Sequence, residues 1–523
     1  MAATPTEKTS LFINADEPFP LSKFSKTRAS SPYKFKFSWR KLASFMGPGW
    51  VMSLAYLDPG NLEADLQQGA YTNMTLLWVL WWATCAGFLL QELSSRLAMV
   101  TGLDLAECSK RFYGRNTSLA LYALMELAII GSDIQEVVGS AIAFQLLFGW
   151  PLWVGCLVTG LDSFTFLAIY QCGAGYFEAL IAALVALIAG CFFANFFATA
   201  SAATVGSVAS GLAVPRLVPS GLVVAMGTLG AVIMPHNLYL HSGLVKTRAA
   251  SDASFDRTNA DAVAEANTYS AIESGIALLT SFFVNLAVVG TFAHFFFSAE
   301  CSQGLSTPMA CVPLDPNHAG STALDSFSNL GHALACSNDA IPQGVEARCA
   351  EIGLDGAGAA LESTIGALGK TTWAVGLLAA GQASTMSTTF AGQVVMDGFL
   401  SLRLSPWQRA SVTRLAALGP SLSIAIFTSD HATTRNAINE WLNILQSIQL
   451  PFAIIPVLTF TASAAIMNVR NTDHGSSSSG SGTGHANGNR FRNRGVMLFL
   501  ALSLTALVLG ANVFLVHDFL ATH

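Results

Sequence analysis

Charged residues are scarce in this chain of 523 residues. Asp, Glu, Lys and Arg make up 11% of the sequence, against about 25% in a typical soluble domain, and hydrophobic residues make up 52%. This composition fits a membrane protein. The length alone would allow several soluble domains, but the recurring apolar segments described below favour one polytopic unit.

Motifs of ATP-driven pumps and of enzymes are also missing. The sequence has no Walker loop and no recognisable enzyme motif, so we expect neither catalysis nor a cofactor. We also expect no nucleic-acid partner. The first 40 residues are polar and basic and do not fit a cleavable signal peptide, so the first span is expected to direct insertion.

Apolar segments of roughly 20 residues, the length that a helix needs to cross a bilayer, recur along the chain. We predict an all-α polytopic membrane protein with eleven spans, of which the first and the sixth are broken. The spans lie near 44–70, 75–99, 119–147, 151–170, 178–199, 219–244, 271–298, 374–400, 409–428, 438–467 and 496–517.

These spans divide the chain into four regions. A cytoplasmic basic tail at 1–40 precedes a core of ten helices at 41–467, which includes an outside loop at 299–373. A Ser/Gly-rich segment at 468–495 is typical of a flexible linker. The eleventh helix and a short outside C-terminus occupy 496–523.

Lysine and arginine are biased to one side of the predicted membrane. With a cytoplasmic N-terminus, all but four of the 26 basic residues lie in or beside cytoplasmic segments. The exceptions are Arg216, Arg348, Lys370 and Arg435. The positive-inside rule therefore predicts a cytoplasmic N-terminus and an outside or lumenal C-terminus.

Two hydrophobic helices are interrupted by the same x-Pro-x-Asn unit. Proline removes a backbone donor and clashes with the preceding turn, so each unit should break its helix. Paired breaks in corresponding halves of a chain point to the central site of a transporter. The two units are Asp58-Pro59-Gly60-Asn61 and Met234-Pro235-His236-Asn237.

The side chains at these breaks suggest a transition-metal site. Asp58 supplies a hard anionic oxygen and Asn61 a neutral one, while an unwound carbonyl such as that of Ala231 is free to bind. The Met234 thioether is soft; it has little affinity for Ca²⁺ or Mg²⁺ but tolerates Mn²⁺, Fe²⁺ or Cd²⁺. The alternative for Met234 is simple core packing.

The third span carries Glu126, Asp133 and Glu136 at intervals of seven and three, which places them on one helical face. Charge inside a membrane helix is costly and needs a partner or a function. We expect either a proton path or a structural network neutralised by Arg409 and Arg414 of the ninth span.

Four further polar residues lie beside the breaks. His236 and His241 are candidate proton relays because histidine titrates near neutral pH, and a structural role is the alternative for each. Glu63 and Asp65 follow the first break, where the dipole of the resumed helix stabilises acids. Glu63 is also a candidate for a role in transport.

The outside loop contains Cys301, Cys311, Cys336 and Cys349. Four cysteines facing an oxidising compartment suggest two disulfides, for which three pairings are open. A zinc site is the alternative, although the loop has no Cys-x-x-Cys pair.

At these positions the chain resembles the natural resistance-associated macrophage protein (Nramp) family of proton-coupled divalent metal transporters. The resemblance covers nearly every span and rests on long motifs. These are GPGWVMSLAYLDPGNLEADLQQGA, ELAIIGSDIQEVVGSAIAF, MPHNLYLHS, GLLAAGQASTMSTTFAGQVVMDGF and NEWLNILQSIQLPFAIIPVLTFT. It implies a LeuT-like fold of two inverted five-helix repeats with broken first and sixth helices.

The resemblance also implies a set of site residues. The implied metal ligands are Asp58, Asn61, the Ala231 carbonyl and Met234, with Gln446 approaching in some conformations. The implied proton-linked residues are Asp58, Glu126, Asp133, Glu136, His236, Arg409 and Arg414. The family often has two adjacent arginines where this chain has Gln408-Arg409, and the connection Gln171–Phe177 lacks the basic residues expected there.

The resulting hypothesis is symport of Mn²⁺ or Fe²⁺ with protons toward the cytosol by alternating access, with Cd²⁺ as a further candidate. We expect a monomer in the lipid bilayer, and plasma and endosomal or vacuolar membranes fit equally. A channel is one alternative, but it would need a continuous polar pore, whereas the repeat with broken helices implies alternating access. A metal receptor would usually carry a large soluble signalling domain, whereas about six residues follow the last predicted span.

Overall fold

The computed structural model describes most of the chain outside the tail and the linker. The described residues are 37–172, 174–198, 202–217, 221–251, 255–303, 309–313, 334–338, 340–341, 346–402, 404–429, 431–468 and 491–522. Most of the predicted tail at 1–40, the Ser/Gly-rich segment and the side chains of Gln171–Phe177 lie outside that description.

Helices dominate the described residues. The first eleven are α1 Trp39–Phe45, α2 Pro48–Ala55, α3 Pro59–Thr72, α4 Leu77–Thr101, α5 Leu105–Phe112, α6 Arg115–Phe148, α7 Leu152–Cys172, α8 Ala174–Phe197, α9 Ala202–Ala213, α10 Gly221–Val232 and α11 Pro235–Ser251.

The second part of the chain contains eight further helices and two short strands among the described residues. In chain order they are α12 Ala260–Phe296, α13 Ala299–Gln303, β1 Ala310–Pro313, β2 Ala347–Ala350, α14 Leu354–Ile365, α15 Ala367–Leu400, α16 Pro406–Phe427, α17 Ala432–Gln449, α18 Pro451–Ala462 and α19 Gly495–Thr522.

A helix or a pair of helices occupies each predicted span, which confirms an all-α polytopic membrane protein. Seven of the described helical segments are long and apolar enough to cross a bilayer by themselves. They are Arg115–Phe148, Ala179–Phe197, Gly221–Ala250, Ala260–Phe296, Trp407–Phe427, Ala432–Ala462 and Gly495–Phe514.

The tenth span differs from its prediction in two ways. It begins at Ala432 rather than near 438, and it divides at Leu450 into α17 and α18. Leu450 keeps right-handed helical dihedral angles, so the division is local. Pro451 explains it, because proline has no N–H to donate to the preceding turn.

Short helices outside the spans were not predicted. Helix α5 has only eight residues, and it begins with a capping box in which Asp104 and Glu107 each accept from the other's backbone N–H. Helices α9, α13 and α14 are also additions to the predicted spans. A search for apolar segments of membrane length does not detect helices of this size.

The predicted outside loop, 299–373, is cross-linked by two disulfides. Strands β1 and β2 pair antiparallel, with Cys311 opposite Cys349. Cys301 is joined to Cys349 and Cys311 to Cys336. The sulfurs of Cys301, Cys336 and Cys349 lie within 4.8 Å of one another, but as disulfide sulfurs they are not thiolate ligands for zinc.

The third span, α6, packs along α15 and also reaches the first break. At Gly139 a Cβ atom would lie 2.4 Å from the Cβ of Pro59, so only glycine permits this approach. The close packing brings the acidic face of α6 to the centre of the bundle, beside both broken helices.

Candidate functional site

Each proline unit interrupts its helix where the sequence predicts. Helix α2 ends at Ala55 and α3 begins at Pro59, with Asp58 as an extended N-cap whose side chain accepts from the Asn61 N–H at 3.0 Å. Helix α10 ends at Val232 and α11 begins at Pro235. Pro59 and Pro235 each open a new helix, a position that needs no backbone donor.

The two breaks meet in the interior. The Asn61 amide donates to the Ala231 carbonyl at 3.0 Å and to Oδ1 of Asp58 at 2.5 Å. The side chain of Met234 lies at the second break and is 2% exposed, while Asp58, Asn61 and Ala231 are fully buried. The four groups therefore form one cluster closed to solvent.

Two oxygens of this cluster have no hydrogen-bond partner among the described residues. They are Oδ2 of Asp58 and Oδ1 of Asn61. A buried carboxylate oxygen without a donor is costly, and a cation or a proton would compensate it. The Ala231 carbonyl accepts from the Asn61 amide in this conformation, which uses one of its two lone pairs.

Gln446 is connected to the cluster through Gln135, a residue that was not predicted from the sequence. Its Nε2 donates to Oε1 of Gln135 at 3.1 Å. Gln135 lies on α6 beside Gly60, where a Cβ would stand 2.9 Å from the Gln135 Oε1 atom. The one feature of the sequence that could have indicated Gln135 is its position between Asp133 and Glu136.

The acidic face of α6 is held by two neighbouring helices. Asp133 forms an ion pair with Arg414, which also donates to the Thr385 carbonyl at 3.1 Å and to Thr389 Oγ1 at 2.9 Å. Glu136 accepts from hydroxyls of α15: those of Ser384 at 2.6 Å and Thr388 at 2.5 Å.

Arg409 does not belong to this network. It pairs with Asp397 at 3.0 Å and donates to the Leu402 carbonyl at 3.3 Å. The expectation that Arg409 also neutralises the acids of the third span is therefore corrected, and Arg414 alone of the two arginines contacts Asp133. Arg409 and Arg414 are five residues apart, so they project from different sides of α16.

Glu126, which is partly buried, and the two buried histidines lack full hydrogen bonding. Oε2 of Glu126, Nδ1 of His236 and both ring nitrogens of His241 have no partner among the described residues. Each of these groups can therefore accept or give a proton without first breaking a described bond at that atom.

Contacts between α3 and α17 cover one side of the cluster. Asn439 donates to Glu63 at 2.6 Å, and Asn443 donates to the Gly60 carbonyl at 3.2 Å, so α3 is bonded to α17. Further along α3, the Tyr71 hydroxyl accepts from the Ile352 N–H at 3.1 Å. Asp65 is buried on α3, and neither of its oxygens has a partner among the described residues.

Ion pairs connect the end of α11 to the start of α5. Lys246 at the end of α11 lies 2.9 Å from Asp104 and 2.5 Å from Glu107. Burial, together with the neighbouring Asp104 carboxylate, raises the pKa of Glu107 to about 7.

Comparison with known proteins identifies relatives over most of the chain. The family described as natural resistance-associated macrophage protein-like matches residues 49–476. The metal transporter nramp1 homolog of Dictyostelium discoideum is 40% identical over 84% of this chain and 71% of its own. Natural resistance-associated macrophage protein 2 of Homo sapiens is 43% identical over 83% of this chain and 71% of its own.

A solved structure shares the architecture. The manganese transporter of Eremococcus coleocola, in complex with an aromatic bis-isothiourea substituted compound, superposes with a TM-score of 0.67 at 28% identity. The match covers 91% of this chain and 86% of that one. The predicted fold is confirmed: a LeuT-like arrangement of inverted five-helix repeats with broken first and sixth helices.

Proposed function

This chain belongs to the natural resistance-associated macrophage protein (Nramp) family, and we propose that it is a proton-coupled symporter of divalent transition-metal ions. It moves Mn²⁺ or Fe²⁺, with Cd²⁺ as a further substrate, across a membrane toward the cytosol by alternating access. The names of its relatives, metal transporter and manganese transporter, support this class of substrate.

The observation that carries this proposal is the closed cluster at the two breaks. It combines a carboxylate oxygen of Asp58 and an amide oxygen of Asn61, both without partners among the described residues, with the buried Met234 sulfur. A divalent cation would compensate the carboxylate, and the soft sulfur would favour Mn²⁺ or Fe²⁺ over Ca²⁺ and Mg²⁺.

Metal binding would rearrange the cluster slightly. If the Asn61 amide turns away from Ala231, the freed carbonyl of Ala231 becomes a ligand of the ion. Oε1 of Gln446 has no partner among the described residues, and a small movement of α17 would bring it closer to the ion. The ligand set we propose is therefore Asp58, Asn61, Ala231 and Met234, with Gln446 as a ligand in part of the cycle.

The proton would leave by way of α6. Binding of a divalent cation favours the charged form of Asp58 and so displaces a proton from it. Ser132 lies between Met234 and Glu136, and Asp133 follows it on the same helix. We infer that Glu136, Asp133 and Glu126 pass protons toward the cytoplasm, with Arg414 setting the charge of Asp133 and His236 acting beside the break.

Membrane topology and assembly follow the same proposal. The protein acts as a monomer, with a cytoplasmic N-terminus and an outside or lumenal C-terminus, in the plasma membrane or in an endosomal or vacuolar membrane. It needs no resident cofactor. Lys246, Asp104 and Glu107 then lie on the cytoplasmic side, and the disulfide-linked loop lies on the outer side.

Metal uptake by purified protein in liposomes tests the function. With an inward pH gradient and a metal-sensitive dye inside, Mn²⁺ and Fe²⁺ uptake should saturate with concentration and acidify the lumen. A series of competing cations should place Mn²⁺, Fe²⁺ and Cd²⁺ well ahead of Ca²⁺ and Mg²⁺. Non-saturating uptake without proton movement would instead indicate a channel, and no uptake of any of these ions would contradict the proposal.

A further inference from the structure

The elbow between α1 and α2, residues 44–50, is held from two sides by side chains of distant helices. Gly47 at its centre has φ of 146°, a conformation that other residues rarely adopt. The elbow leads directly into α2, the eight-residue inner half of the first broken helix. Whatever holds the elbow therefore also holds α2.

Glu273 of α12 is the main contact of the elbow. Its Oε1 atom accepts from the backbone N–H groups of Gly47 at 2.9 Å, Gly49 at 2.8 Å and Trp50 at 3.4 Å. Pro48, between them, has no N–H to offer. A single carboxylate thus satisfies the exposed donors at the start of α2, where the helix dipole also favours a negative charge.

A cation holds the opposite side of the elbow. The guanidinium of Arg248, at the end of α11, donates to the carbonyl of Ser44 in the last turn of α1, with its Nε at 3.1 Å. A positive charge is favourable at the C-terminal end of a helix, as a negative one is at the N-terminal end. The inner halves of both broken helices, α2 and α11, are therefore connected through this elbow.

The contacts continue along one face of α12. Glu265, Tyr269 and Glu273 follow one another at intervals of four residues and so share a helical face. The Tyr269 hydroxyl accepts from the Ser38 N–H at 2.8 Å, and Glu265 pairs with Lys41 at 2.6 Å. This face positions α1 as well as the elbow.

From this geometry we propose that Glu273 is a positioning residue, a latch that keeps α2 in its closed position on the cytoplasmic side. The cluster at the breaks is buried, so its opening to the cytoplasm requires movement of an inner segment. Helix α2 is short and interrupted at both ends, by Gly47 and by Asp58. Releasing the three N–H groups from Glu273 would free α2 to move.

Hydrogen exchange followed by mass spectrometry tests the latch without any metal. In Glu273→Ala, amides of the segment 47–50 should exchange about 10- to 100-fold faster, the factor that corresponds to hydrogen bonds with a charged acceptor. Glu273→Gln keeps an oxygen acceptor without the charge and should fall between wild type and Glu273→Ala. Glu265→Gln, on the same face but without a contact to α2, is the matched control and should leave this segment within about twofold.

Transport provides a second measurement, which rests on the proposed function. A released latch reduces the population that binds metal from outside, so the half-saturating Mn²⁺ concentration should rise in Glu273→Ala and recover partly in Glu273→Gln. Wild-type exchange of residues 47–50 in Glu273→Ala would overturn the latch, whatever the transport result. Faster exchange throughout the protein would also overturn it, because that result indicates a general loss of folding.

Discussion

The hydroxyl oxygen of Ser132 lies 3.8 Å from the sulfur of Met234. The same oxygen lies 3.2 Å from Oε1 of Glu136, and all three side chains are buried. Among the described residues, Ser132 therefore connects the cluster at the helix breaks to the acidic face of α6. The Met234 thioether has no proton to give, so in a proton path Ser132 would donate its own proton to Glu136 and receive another from a different group of the cluster.

Replacing Ser132 by alanine should impair coupling more than metal binding. The substitution removes the hydroxyl between Met234 and Glu136 but leaves the oxygens of Asp58 and Asn61 in place. We expect Mn²⁺ uptake to persist, with a smaller proton flux for each ion and a flatter dependence on external pH. Liposomes that carry a pH dye and a metal dye measure both fluxes together.

The matched control for this experiment is Ser140→Ala, a buried serine on the same helix whose hydroxyl has no partner among the described residues. It should keep the wild-type ratio of protons to metal. If Ser132→Ala also keeps that ratio, Ser132 has a packing role and the path must run through other groups.

Loss of the Met234 thioether should weaken selectivity. In Met234→Ala we expect partial Mn²⁺ transport together with stronger competition by Ca²⁺ and Mg²⁺, because the sulfur is the one soft group in the proposed ligand set. Competition curves against Mn²⁺ uptake measure this directly. Met125→Ala removes another fully buried methionine, from α6, and should leave the order of ions unchanged. Unaltered Ca²⁺ competition in Met234→Ala would rule out a ligand role for the sulfur.

Asp58 and the acids of α6 should differ in their mutant behaviour. Asp58→Ala removes the single charge in the proposed ligand set, so we expect metal transport to be abolished. Glu126→Gln and Asp133→Asn should still bind metal but show reduced proton flux or reduced pH dependence. Calorimetric titration with Mn²⁺ separates binding from flux. Wild-type proton flux in both α6 variants would show that these acids are structural.

The two disulfides offer a test that is independent of transport. Non-reducing digestion followed by mass spectrometry should recover peptides that join Cys301 to Cys349 and Cys311 to Cys336, the pairs present in the structure. Cys85, a partly exposed free cysteine, is the control: it should react with an alkylating reagent when the protein is unfolded without reductant. Alkylation of all four loop cysteines in native protein would contradict the pairing.

The sequence predicted features that depend on local chemistry. A proline within an apolar stretch breaks a helix wherever the helix lies, so both breaks were predicted at the correct residues. The intervals between Glu126, Asp133 and Glu136 are likewise a property of one helix. These features needed no knowledge of how the helices pack.

The features that the sequence did not predict depend on contacts between distant helices. Arg409 and Arg414 look alike in the sequence, and the choice of Arg414 as the partner of Asp133 depends on how α16 is rotated against α6. Gln135 became a candidate only when it was found beside Gly60. Glu273 and the elbow are separated by more than two hundred residues, and no local pattern connects them.

The choice between the two arginines leads to a prediction about stability. Arg414→Ala strands the carboxylate of Asp133 in the membrane interior, and breaking a buried ion pair typically costs about 3–5 kcal/mol. Arg409→Ala should cost less, about 1 kcal/mol, because the side chain of its partner Asp397 is 20% exposed and can be hydrated. Thermal unfolding in detergent, followed by fluorescence-detected chromatography, gives both changes.

In the Arg414→Ala background, the second substitution Asp133→Asn removes the stranded charge and should recover a large part of the lost stability. If Arg414→Ala is no more destabilising than Arg409→Ala, or if Asp133→Asn brings no recovery, the ion pair does not hold α16 against α6.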